Sequence, residues 1–235
     1  MPDIKQNIAS LKQEIETLAT ALGRKDPITL LAVTKTHPVE LIEAALAAGI
    51  EHIAENKVQE AMRKLPMIGT AYKGFHFIGH LQTNKINQLL ALKPYLIHSI
   101  DSVYVAEKLH LALGRTNRTQ DVLIQVNTTR EEQKSGVTFE NARDTIWQIA
   151  AFSTLRIKGL MTIGKLHPNP ETSRPYFKML KELFDEFQNE EIPGMEMKHL
   201  SMGMSHDWKI AIEEGSNMVR IGSAIFGERY YGDDI

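Results

Sequence analysis

Residues 28–56, ITLLAVTKTHPVELIEAALAAGIEHIAEN, hold the repeat from which the fold follows. Ile28 to Lys35 is a run of aliphatic and β-branched residues that reads as a strand. Thr36, His37 and Pro38 turn the chain, and Pro38 stands as the first residue of a helix, where a missing N–H costs nothing. The helical pattern ends at Gly49, and His52 to Asn56 reads as the next strand. A strand, a crossover helix and a second strand imply parallel pairing through a right-handed connection.

The same rhythm continues along the chain. Further strands are expected at Phe75 to His80, Leu96 to Ile100, Asp121 to Asn127, Leu155 to Ile163, Met197 to Met202 and Met218 to Ile225, which makes eight. Helical stretches such as NKINQLLALKP, SVYVAEKLHLALG, FENARDTIWQIAAF, RPYFKMLKELFDEFQ and HDWKIAIEEG lie between them. Eight units in 235 residues average about 29 each, close to the spacing of a (β/α)8 TIM barrel of around 250 residues. The expectation is an α/β chain whose residues 1–235 form one barrel domain. Ahead of the first strand, Ile4, Ile8, Leu11, Ile15 and Leu18 recur at helical spacing with charges between them, an amphipathic helix with no signal-peptide pattern. Ten residues after the eighth strand are too few for a full crossover helix, so the N-terminal helix is expected to cover that gap.

Composition narrows the partners. Lys and Arg number 27 against 29 Asp and Glu, a formal net charge of −2, and no whole-protein field attracts a polyanion. This argues against nucleic acid or acidic membrane as main partner, with local basic sites still allowed, and no apolar run approaches the roughly 20 residues of a membrane span. Zero Cys removes disulfides, thiolate metal sites and a thiol nucleophile, and points to a reducing cytoplasm.

Barrel chemistry sits where strands end. At the end of the first strand, Lys35 is either a solvated lysine or an amine that loses its proton readily at the crowded rim and condenses with an aldehyde. The seventh strand leads into Ser201-Met202-Gly203-Met204-Ser205 directly ahead of a helix, and the eighth ends Arg220-Ile221-Gly222-Ser223. Each of these loops alone is explained by turns and caps. Together, adjacent in the barrel and across the opening from the first strand, they read as a phosphate cradle. Period-2 alternation turns Arg220 inward with Met218 and Gly222, where it either pairs with a carboxylate such as Glu55 or donates to a ligand heteroatom. An aldehyde, a phosphate and a ring nitrogen are the three features of pyridoxal 5'-phosphate (PLP) that such groups would hold.

The ordered segments AVTKTHP (32–38), AENKVQE (54–60), HFIGHLQTNK (76–85), QVNTTREEQKSG (125–136), GLMTIG (159–164), LSMGMSHD (200–207) and VRIGSAIFGER (219–229) make the chain resemble, over nearly its whole length, the pyridoxal phosphate homeostasis protein family. That family is related to the barrel domain of alanine racemase-like, fold-type III PLP enzymes. The resemblance implies a PLP aldimine at Lys35 and Asn56 beside the ring. It implies Ser201, Gly203, Ser205, Gly222 and Ser223 around the phosphate, and Arg220 at the pyridine nitrogen. His80 and Met161 become outer walls of the pocket, and the loop carrying Glu131, Glu132 and Lys134 lines the mouth. Two positions depart from the family pattern: Ala54 stands where Gly is commoner, and Asn217 follows Gly215-Ser216 where Thr is commoner.

Other signals fall away. His76 and His80 are four apart in a strand, about 13 Å at 3.3 Å per residue, too far to share a metal. Met204-Ser205-His206-Asp207 places triad residue types in consecutive positions, which builds no triad, and the Gly222 to Gly227 spacing is followed by Glu228-Arg229 in place of the P-loop Lys-Ser/Thr. Arg156, Lys158 and the charged face of LKELFDEF read as solvated surface. Two functions suit a PLP barrel: a carrier that holds and hands over the cofactor, or a fold-type III amino acid racemase or decarboxylase. An arginine at the ring nitrogen is not an acid that keeps the ring protonated, which weakens transaminase chemistry. The related racemases draw their second base from an added β-domain, which is not expected in a chain that stops so soon after its last strand. A site left open to water lacks the clamp on which rate acceleration depends. The expectation is therefore a monomeric, non-catalytic PLP buffer that makes transient contact with PLP-dependent apo-enzymes and affects amino acid metabolism indirectly.

Overall fold

The computed structural model describes residues 2–227. Among these residues are nine strands, separated by helices except where β6 follows β5 directly: β1 (Thr29–Val33), β2 (His52–Glu55), β3 (Gly74–Phe77), β4 (Leu96–Ile100), β5 (Gln120–Asn127), β6 (Val137–Thr138), β7 (Leu155–Met161), β8 (Met195–Met204) and β9 (Met218–Ile221). Every pairing is parallel. The order β4-β3-β2-β1-β9-β8-β7-β5 is closed by pairing of β4 with β5, so eight strands form the barrel and two-residue β6 lies on the end of β5. The expected (β/α)8 architecture is present, with α2 (Val39–Ala47), α3 (Val58–Ile68), α4 (Ile86–Ala91), α5 (Val103–Gly114), α6 (Phe139–Ala150), α7 (Arg174–Gln188) and α8 (Trp208–Glu213) around it.

Alternation along the strands sorts the core into two sets. Leu31, Val33, Ala54, Leu96, Leu123, Met161 and Met218 pack together inside the barrel. Ala32, Ile53, Phe75, Phe77, Ile97, Val122, Leu160, Val219 and Ile221 face the helices. Both faces are buried, which is why the strands read as almost continuous apolar runs.

The N-terminal helix α1 (Ile4–Ala21) is capped by the Asp3 carboxylate, which accepts from Gln6 N at 3.0 Å. Its buried stripe, Ile4, Ile8, Leu11 and Ile15, packs against α2, α8 and the short α9 (Ser223–Phe226). This is the place of an eighth crossover helix, as expected. Lys12 Nζ donates to Gly49 O (2.7 Å) and Asn7 Nδ2 to Ile225 O (2.9 Å), tying α1 to both ends of the barrel sequence.

Several boundaries differ from the sequence reading. β1 stops at Val33, and Lys35 lies in a turn whose next residue, Thr36, has φ of 66°. β9 stops at Ile221 instead of Ile225, because Ile225 N and Phe226 N bond back to Gly222 O and wind the chain into α9. Residues 58–68, between the second and third strands, form α3, which carries Pro66 near its C-terminus. Arg156 and Lys158 form surface pairs with Asp121 and Glu196, both at 2.5 Å. Glu228 and Arg229, the end of the last resemblance segment, lie outside the described residues. No described helix is long and apolar enough to cross a membrane.

Since α1 supplies a wall of the outer layer, truncating its fully buried Ile8 should weaken the whole fold. Ile8→Ala is expected to cost about 2–5 kcal/mol in urea unfolding; a midpoint equal to that of the parent would show α1 to be dispensable.

Candidate functional site

The turn after β1 is built by buried charge. Thr34 Oγ1 donates to Glu55 Oε1 at 2.7 Å. Lys64, from α3, donates to Thr34 O (2.7 Å), Glu55 Oε1 (3.0 Å) and Glu60 Oε1 (2.5 Å), and Thr36 N donates to that same Glu60 oxygen at 2.6 Å. Lys35, half-buried at the barrel mouth, thus sits on a backbone clamped from both sides. Burial pushes the Glu55 carboxyl above its ordinary range, with Lys64 pulling the other way.

Arg220 points into the barrel, as the alternation requires, and is 4% exposed. It does not pair with Glu55. Its Nη1 donates to Ser201 Oγ and its Nη2 to Thr162 O, each at 2.7 Å. Among the described residues no carboxylate forms an ion pair with it. Burial lowers it to about 10, with Asp207 acting in the opposite direction. At neutral pH this is a buried cation bonded to neutral oxygens, able to donate further.

The loops after β8 and β9 meet at Ser205, whose Oγ accepts from Gly222 N (3.2 Å) and Ala224 N (3.3 Å). Gly222 lies against Val33, and β9 pairs directly with β1. The loop pair is therefore beside the Lys35 turn, not across the opening as expected, because barrel closure makes the first and last strands neighbours. Ser205, Gly222 and Ser223 share this corner, but two residues assigned to it do not. Ser201 is fully buried within β8 beneath Arg220. Gly203, at φ 92°, lets β8 pack on α8, where a Cβ would come within 2.5 Å of that of Ala211. A register irregularity between Ser201 and Met204 separates them from Ser205.

Asn56 follows β2 with its Oδ1 buried and lacking a hydrogen-bond partner. Its backbone is pressed by Gly79, where a Cβ would lie 1.9 Å from Asn56 O. Met161 is buried on the inner face, and His80 is exposed on the loop after β3, 3.0 Å from Asp101 Oδ2. Lys134 pairs with Glu131 and donates to Gly164 O at 2.9 Å, so the loop after β5 reaches the loop after β7 at the mouth.

The family model described as alanine racemase, N-terminal domain, matches residues 6–230. A pyridoxal phosphate homeostasis protein of Aquifex aeolicus is 40% identical over 227 residues, 96% of this chain and 98% of the relative. The chain belongs to the pyridoxal phosphate homeostasis protein family. A solved structure within the likeness, PipY of Synechococcus elongatus PCC7942 with PLP bound, superimposes with a TM-score of 0.81 at 30% identity, covering 96% of this chain and all of that one. Alanine racemase from Corynebacterium glutamicum shares the fold at 18% identity and a TM-score of 0.68, over 99% of this chain and 62% of its own.

Two buried histidines escaped the sequence reading as members of the site. His98 Nδ1 lies 3.0 Å from Ser201 Oγ, and His98 in turn contacts His76. Their signal was parity: His76 and His98 lie on strands whose alternate residues face inward. Burial holds both imidazoles well below the ordinary histidine value, so they stay neutral in the fold while the unfolded chain takes up protons below about pH 6.5. Their contribution to stability is full above that pH and is lost as the pH falls. Between pH 7 and pH 5 the unfolding free energy from urea titration is expected to drop, by up to about 1.4 kcal/mol per pH unit for each histidine, and the midpoint with it. Burial lowers the half-buried His52 and His199 as well, in the same direction, and Glu55, with its raised value, works against these four histidines. A midpoint that rises on acidification would contradict the assignment.

Proposed function

We propose that this chain binds PLP at the β1, β8 and β9 end of the barrel and serves intracellular PLP homeostasis as a carrier or buffer of the cofactor. The observation that carries the proposal is the pairing of β1 with β9, which sets the half-buried Lys35 turn against the Ser205 corner, with Arg220 on the inner face of the same strand end. The residues present fit the cofactor. Two backbone N–H groups now satisfied by a neutral hydroxyl suit a phosphate. A buried guanidinium without a carboxylate partner among the described residues suits a pyridine nitrogen, and the orphaned Asn56 Oδ1 offers a polar group at the end of β2. When bound, PLP supplies an aldehyde carbon with which a lysine amine condenses.

In this reading Lys35 provides the amine and the Glu55, Glu60 and Lys64 clamp keeps its turn in place. Arg220 donates to the ring, and Ser205, Gly222 and Ser223 hold the phosphate. Ser201 and Gly203 support Arg220 and the β8 end, and His80 and Met161 form outer walls. The names of the relatives support a homeostatic role over catalysis. We further propose that residues 1–235 act as one unit, as a cytoplasmic monomer that gives up PLP in transient contacts with apo-enzymes, on the support of a cysteine-free, near-neutral composition.

Lys35→Ala is expected to abolish the visible absorbance of bound PLP and the borohydride-trapped adduct, whereas Arg220→Ala retains the adduct with an altered spectrum. A parental spectrum in Lys35→Ala would remove the site. The alternative activity, a fold-type III amino acid racemase, separates cleanly: PLP-loaded protein incubated with amino acids in deuterated water should show no α-proton exchange at enzymatic rates. Exchange comparable to that of a racemase would replace the carrier reading.

A further inference from the structure

A file of polar side chains crosses the barrel interior. His52, His76 and His98 stand on the successive strands β2, β3 and β4. Register places Gly74 beside His52 and Leu96 beside His76, so each histidine lies two residues further along its strand than the one before. The three climb from the N-terminal end of the barrel toward the mouth. Nδ1 of His52 is 3.0 Å from Nε2 of His76, and Nδ1 of His76 is 2.9 Å from Nε2 of His98. From His98 the file crosses to β8, where Ser201 Oγ is 3.0 Å from Nδ1, and it ends at Arg220 Nη1, 2.7 Å beyond.

Arginine fixes the direction of this file, because a guanidinium only donates. Ser201 Oγ accepts from Arg220, and Nδ1 of His98 is the acceptor in reach of its hydroxyl proton. A neutral imidazole that accepts at Nδ1 carries its proton on Nε2. His98 therefore donates to His76, and His76 donates to His52. An imidazolium has no acceptor and would break the file. Burial, which keeps His76 and His98 neutral, protects it.

We propose that His98, backed by His76 and His52, is the positioning residue for Arg220. By accepting a hydrogen bond from the Ser201 hydroxyl at Nδ1, His98 holds Ser201 Oγ as an acceptor aimed at Nη1, and the guanidinium is kept in line with the ring-nitrogen position of the proposed PLP site. A serine hydroxyl rotates freely unless its proton has a fixed destination. Thr162 O, the other acceptor on Arg220, restrains only Nη2. The role toward PLP rests on the function proposed above, whereas the file itself is a property of the protein alone.

The file is tested without cofactor by long-range proton–nitrogen NMR on histidine-labelled protein at pH 7. His76 and His98 are expected as neutral imidazoles with the proton on Nε2; an Nδ1–H tautomer or an imidazolium at either position overturns the proposal. The positioning role is then tested on PLP-loaded protein. His98→Leu is expected to move the absorption maximum of bound PLP and to raise its dissociation constant about tenfold, roughly the worth of one hydrogen bond to a charged group. His98→Asn, whose amide oxygen stands in for Nδ1, is expected to restore both. A parental spectrum and affinity in His98→Leu, or no rescue by Asn, overturns the role. Should His98→Leu fail to fold, Ser201→Ala removes the same acceptor and must shift the spectrum in its place; an unshifted spectrum there overturns the role equally. Wild-type protein that takes up no PLP would defeat the functional reading and the positioning role, and the tautomers would still decide the file separately.

Discussion

The pairing of β1 with β9 is the constraint on which the rest of the site depends. It joins the first strand of the barrel to the last, and puts residues nearly 190 positions apart, Lys35 and Gly222, on neighbouring strand ends. No local preference of either segment produces this. It comes from eight parallel strands that have no free edge once the sheet has curled far enough for β4 to meet β5. The amine, the guanidinium and the backbone N–H groups then converge because strand ends on one rim of a barrel converge.

Within that frame the site is organised by how each charge is compensated. Lys64 bridges the Glu55 and Glu60 carboxyls beneath the Lys35 turn. Arg220 is held by oxygens that carry no charge, and this distinguishes the two positions: one group of charges holds backbone in place, the other leaves a cation with donors to spare. The apolar inner layer around Leu31, Leu123 and Met218 lowers the local dielectric and makes both arrangements sensitive to single substitutions.

Much of this was legible in the chain. Alternating apolar runs and amphipathic stretches carry the barrel, because strands buried on both faces leave a signal that length alone separates from helix. Lys35, Arg220 and Ser205 stand out as candidates from their places at strand ends. The position of the phosphate corner relative to Lys35 was misjudged, since closure brings the last strand beside the first. Where Ser201 and Gly203 lie relative to Ser205 was not legible, because the irregularity in β8 interrupts the alternation, and such a bulge leaves no mark in composition. Of the histidine file, alternation carries only the inward direction of each member: three histidines in three strands become neighbours only through register.

The position of α1 bears on how the chain reaches this state. Asn7 reaches across to Ile225, so the helix emerging early from the ribosome finds its seat only when the final strand exists. Until then Ile4, Ile8, Leu11 and Ile15 present an uncovered stripe, and the edges of β1 and β9 are both open. A topology with contacts this distant in sequence folds slowly and lends its half-made forms to aggregation or to chaperone capture.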